Sequence, residues 1–126
     1  MRSISVSFVL YSKMIDIKEI DRMIDLPNTE LWYPPLPEYA DPAWSVEVHS
    51  TACTIAQPIF ELKSILEPRM DRIIGFVHEK GISPQVTITV KADCYADRPV
   101  ISLPSSVFPF FEKLNAEINL DVLYGE

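Results

Sequence analysis

A chain of 126 residues with 18 carboxylates against 11 Lys and Arg carries a formal net charge of −7. One domain is expected at this length, able to bury roughly two-thirds of its unfolded surface without help from a disulfide or a metal. The charge argues against a nucleic-acid or anionic-membrane ligand, because phosphates would be repelled.

Ile4, Val6, Phe8 and Leu10 alternate with Ser3, Ser5 and Ser7, which predicts a strand with one buried face. The serines also break the continuous apolar stretch of about 7–15 residues that a signal peptide needs, and no later run approaches the ~20 residues of a membrane span. A cytoplasmic protein is expected. Asp16 to Ile24 reads as a short helix with Ile17, Ile20 and Ile24 on one stripe. Asp16 and Glu19 resemble a capping box, and Pro27 and Asn28 end the helix.

Glu30 to Tyr33 fits a short strand. Pro34 to Pro42 (PPLPEYADP) is a loop, because prolines lack the backbone donor that a central ladder requires. Alternation returns from Trp44 to His49. Ile59, Leu62, Leu66, Met70, Ile73 and Val77 then follow a helical stripe interrupted at Pro68, where the helix kinks or a second one starts. Gly81 is a natural stop.

Pro84 to Tyr95 is the strongest predicted strand, with Val86, Ile88, Val90 and Ala92 inward. Asp97 and Arg98 make a turn, and Pro99 to Leu103 reads as a further strand. Pro104 to Asn115 is helical, capped by Ser105 or Ser106. Glu117 to Tyr124 is the last strand, with Ile118, Leu120, Val122 and Tyr124 inward.

Strict alternation means strands wetted on one face, as antiparallel sheets tolerate. The predicted fold is therefore α+β: a two-layer sandwich, its mostly antiparallel sheet of five or six strands carrying helices on one face only. The open polar face would hold Ser5, Ser7, Glu47, His49, Thr87, Thr89, Lys91, Asn119 and Asp121. Phe8, Val46, Leu66, Ile73, Ile88, Phe111 and Leu120 are expected in one core.

Catalytic patterns are lacking. Cys53 and Cys94 read as separate, buried, reduced thiols. His49-x-x-x-Cys53 is the nearest approach to a zinc motif, but a zinc site needs three or four ligands, so no metal is expected. The sequence has no nucleophile elbow and no phosphate loop, and only three glycines to build one. Asp93 and Asp97 read as solvated turn residues. Neither an enzyme nor a cofactor is expected.

Ile15 to His49 holds eight carboxylates but only Lys18 and Arg22 as cations. The same stretch carries Trp32, Tyr33, Leu36 and Tyr39 in or beside the proline-rich loop. Trp32 capping the core, with prolines holding a long crossover, is one account of this loop. The other is a partner site: Trp32, Tyr33, Leu36 and Tyr39 as anchors, Glu38 and Asp41 as a charged rim, and Glu47 and His49 on the adjoining sheet face.

The strings SISVSFVLYS, IDLP, AWSVEV, LKSILEPRMDRIIGFVHEKG and ISLPSSVFPFFEKLNAEINLDVLYGE span most of the chain. In these the chain resembles a bacterial domain-of-unknown-function family (number 4279). It departs from that family's pattern at Asp25, where glycine is commoner, and in the acidic, proline-rich Trp32–Pro42 loop. The resemblance supplies no catalytic residues. In type rather than motif, the chain is similar to immunity proteins that accompany bacterial toxins. That similarity implies a basic protein partner, a toxin domain and foremost a nuclease. The alternative is a small-ligand or regulatory domain using a pocket between sheet and helices.

Overall fold

The computed structural model describes residues 2–125. Strand β1 (Ser3–Tyr11) leads to helix α1 (Ile17–Ile24), then β2 (Glu30–Trp32) and β3 (Ala43–Ser50). Helices α2 (Ala56–Leu66) and α3 (Met70–Lys80) follow, then β4 (Pro84–Ala92), α4 (Phe108–Leu114) and β5 (Glu117–Tyr124). The strands form one sheet in the order β2-β3-β1-β4-β5. β4 and β5 run parallel and the other neighbours antiparallel. A parallel pair needs a crossover, and α4 lies within it. The fold is α+β.

Alternation puts one side of each central strand under the helices. Ile4, Val6, Phe8, Leu10, Trp44, Val46, Val86, Ile88 and Val90 are buried there with Leu62, Leu66, Ile73 and Phe111 from the helical layer. Phe8 and Trp44 meet edge to face at 6.2 Å. Each fully buried aliphatic or aromatic side chain contributes about 1.5–3 kcal/mol relative to exposure.

Helix α1 begins at Asp16, whose Oδ1 accepts the Lys18 backbone N–H at 3.0 Å. Asp25 ends it in the left-handed region, φ 58°. Pro68 marks a boundary: one 3-10 turn, Glu67–Arg69, ends α2 and starts α3. A proline in a first turn loses no intrahelical bond. Gly81, φ 66°, stops α3.

Several expectations are corrected. Pro99 to Leu103 is not a strand. Val100 instead makes one isolated bridge to Thr54, donating to Cys53 O at 2.7 Å and accepting from Ile55 N at 3.1 Å. These two backbone bonds fasten the crossover to the start of α2. Neither Ser105 nor Ser106 caps the last helix. A 3-10 turn from Ser105 to Val107 precedes α4, and no side chain caps it. Strand β4 ends at Ala92, so Cys94 lies in the turn beyond it, and both thiols are exposed. Cys53 Sγ lies 3.1 Å from the Arg2 guanidinium. Leu120 pairs in register with Ile88, yet Leu120 is 46% exposed and Ile88 1%. The helical layer covers the central strands and reaches β5 only in part, at Ile118 and Val122.

Candidate partner-binding face

The uncovered side of the sheet can be read row by row, because residues directly opposite each other share a face. Trp32, Ala43 and Tyr11 form one row. Glu30, Ser45, Val9, Gln85 and Glu117 form the next. Glu47, Ser7, Thr87 and Asn119 follow, then His49, Ser5, Thr89 and Asp121. Ser3, Lys91 and Leu123 complete the face. Four strand carboxylates, Glu30, Glu47, Glu117 and Asp121, stand here against the ammonium of Lys91. The small Ala43 leaves Trp32 and Tyr11 flanking it, both exposed.

At the centre, Ser5 Oγ donates to Glu47 Oε1 at 2.6 Å, and His49 Nε2 lies 3.0 Å from the same oxygen. This group borders a shallow depression of about 260 Å³ that also takes in Ser3, Thr89 and Lys91. Glu47 sits between serine and histidine and takes the hydroxyl proton's bond itself. The arrangement fixes the Glu47 carboxylate between two polar neighbours.

The β2–β3 loop is fastened at both ends. Tyr33 turns towards α1, its hydroxyl donating to Asp16 Oδ1 at 3.2 Å. The Asp16 carboxyl is held below the usual carboxylate range, chiefly by the Lys18 backbone N–H and with help from Tyr33. Desolvation first, then the Asp16 contact, pushes the Tyr33 phenol up. At the other end Lys13 pairs with Asp41 at 3.7 Å, and Ser12 N donates to Pro42 O at 3.0 Å. Between these ends, Tyr39 N closes a turn onto Leu36 O at 3.1 Å. Leu36, Glu38 and Tyr39 are exposed at the tip, Tyr39 at 80%.

The anticipated site residues thus separate into three groups. Trp32, Glu47 and His49 share the open sheet face, and Trp32, 47% exposed, does not cap the core. Tyr33 and Asp41 hold the loop in place. Leu36, Glu38 and Tyr39 form its tip. Tyr11, Glu30 and Glu117 join the face without having been singled out. The odd-numbered rhythm of Ser3, Ser5 and Ser7 reaches Tyr11, so that signal was present in the sequence.

Part of the acidic segment serves the fold instead. Asp21 Oδ1 accepts the buried Trp44 Nε1–H at 3.0 Å and also the Thr29 hydroxyl. Asp25 takes Arg69, through its backbone oxygen at 3.1 Å and its carboxylate at 3.8 Å. With Asp16 as a helix cap, these charges belong to internal anchoring.

Among the described residues, no three or more of His, Cys, Asp and Glu gather where a metal ion could be held. Among them, too, no helix is long and apolar enough to cross a membrane. No family profile, curated protein or solved structure matches the chain.

Proposed function

We propose that this protein is an interaction module that captures a basic protein partner in the cytoplasm, as a bacterial immunity protein captures a toxin domain. One observation carries the proposal: an uncovered, five-stranded face bears Glu30, Glu47, Glu117 and Asp121 with the exposed Trp32 and Tyr11 at one end. Carboxylates spread over a flat surface speed the approach of a cationic partner and suppress anionic ones. Exposed aromatics beside them supply the contact energy that charge alone does not. A nuclease toxin fits this chemistry, since a groove that binds phosphates is cationic. The fastened loop, with Leu36, Glu38 and Tyr39 at its tip, adds a stiff second contact with little ordering cost. Membership of the bacterial family that the sequence strings resemble is part of the same proposal.

The test uses the intact chain as bait in a lysate of its native host, beside a Glu30→Lys/Glu47→Lys variant and a Trp32→Ala variant. The expected result is a cationic protein held by the wild type, released by salt and held less by both variants. Expressed alone, that protein should arrest growth, and co-expression of the wild-type chain should restore it. Absence of a cationic partner, or equal capture by folded variants, contradicts the proposal.

A further inference from the structure

Strand β5 is a sheet edge of eight residues, EINLDVLY, paired to β4 over its whole length without a bulge. Natural edges are blunted by proline, lysine, bulges or brevity, because an open edge invites pairing with another chain. β5 has no proline, lysine or bulge and is not short; its charges, Glu117 and Asp121, stand on the open face of the sheet.

Its free hydrogen-bonding groups can be assigned. Gly125 N donates to Ala92 O at 2.7 Å, so the odd-numbered residues at this end turn their backbone groups towards β4. N–H and C=O groups alternate sides along a strand, so Ile118, Leu120, Val122 and Tyr124 present theirs outward. The same four side chains lie on the helix side, opposite Val86, Ile88, Val90 and Ala92. Leu120 and Tyr124 are nevertheless about half exposed, at 46% and 48%. Backbone and apolar surface are therefore open together along one line.

We propose that this edge pairs with the β5 of a second copy of the chain, antiparallel across a two-fold axis at Leu120, giving a continuous ten-stranded sheet. A two-fold axis that makes edge strands antiparallel stands perpendicular to the sheet, so both helical layers fall on one side. Only registers joining residues of like face then remain. Centring on Asn119 would set Glu117 against Asp121, and centring on Asp121 would set that acid against itself. Like charges directly opposite are destabilising. Centring on Leu120 avoids both and keeps a long ladder. Leu120 meets Leu120, Ile118 meets Val122, and Asp121 meets Asn119. The bulky Tyr124 falls opposite the small Ala116. The charge pattern and the side-chain sizes thus choose the same register. This interface lies at the far edge from β2; it pairs through the backbone of β5, and its register is set by Glu117 and Asp121, which also stand on the open face.

Mass measurement by light scattering at about 50 µM tests the proposal directly, in a range where weak specific pairs assemble. The expected mass is twice that of the 14.4 kDa chain. Leu120→Lys, which puts two ammonium groups at the axis, should return the single-chain mass with an unchanged circular dichroism spectrum. Two further variants read the register. Both remove the amide that makes the 3.3 Å bond to Gln85, and the dimer constant rather than stability is compared between them. Asn119→Asp should weaken the dimer roughly two- to thirtyfold by facing Asp121 twice, whereas Asn119→Lys should tighten it. A wild-type chain of single mass, a dimer that survives Leu120→Lys, or equal effects of the two Asn119 variants would overturn the proposal.

Discussion

The two edges of the sheet follow opposite designs. β2 has three residues and is followed, after Tyr33, by Pro34 and Pro35, so little backbone is left to pair with. Its side chains do the presenting instead: Trp32 stands on the open face, and Tyr33 ties the following loop to α1. β5 has eight regular residues, no proline, and a row of free backbone groups beside exposed Leu120 and Tyr124. In the two proposals the aromatic end beside β2 meets a different protein and the backbone of β5 meets a second copy, while the carboxylates of the open face are spread from Glu30 to Asp121. Brevity and the prolines that follow limit the backbone of one edge, whereas the other is a full, regular strand.

The largest effects should separate the sheet's centre from β5. Leu66→Ala or Ile73→Ala should cost about 2–5 kcal/mol in urea melts, as buried truncations do. Leu120→Ala, measured at high dilution so that pairing does not contribute, should cost below ~1 kcal/mol, since only part of that side chain leaves water on folding. Equal losses would place β5 inside the core and abolish the contrast.

An intermediate effect belongs to the β2 side. Asp21→Ala should destabilise by about 1–3 kcal/mol, because the buried Trp44 N–H is left without its acceptor. A neutral outcome in the same melts would mean that Trp44 does not depend on α1.

The smallest effect is in the loop fastening. Asp16 has a lowered folded pKa, so its contribution is present above its unfolded value near ~4 and lost as pH falls through the lower folded value. Tyr33 has a raised folded pKa, so its contribution is present below about 10 and lost as pH rises through the folded value. The difference in alkaline absorbance between wild type and Tyr33→Phe should titrate above the ordinary tyrosine range, and Asp16→Asn should bring it down. A Tyr33 titration indifferent to Asp16→Asn would break this link.

The strands β1, β3 and β4 were legible because a period of two is enforced by one buried face. The wet face was legible for the same reason, through Ser5, Ser7, Thr87 and Thr89. The fate of Leu120 was not: alternation tells which side a residue faces, whereas its cover depends on how far the helical layer extends. Pro99 to Leu103 misled because an apolar, β-rich run looks the same whether it pairs in a ladder or merely pins a crossover. The exposed thiols misled because Cys53 stands in the connection between β3 and α2 and Cys94 in the turn just beyond β4, and alternation does not tell where a strand stops. The acidic segment was legible as charge but not as allocation. That Asp21 reaches Trp44, and Asp25 Arg69, depends on partners 23 and 44 residues away in sequence.

Binding kinetics with the captured basic partner read the acidic face and its loop separately. Glu47→Lys and Glu38→Lys should slow association and flatten its salt dependence, because long-range attraction acts mainly on encounter. Tyr39→Ala should leave association nearly unchanged and speed dissociation, roughly thirtyfold for an anchor worth about 2 kcal/mol. Unchanged rates in all three variants, each correctly folded, would contradict the assignment of the partner site to this face and loop.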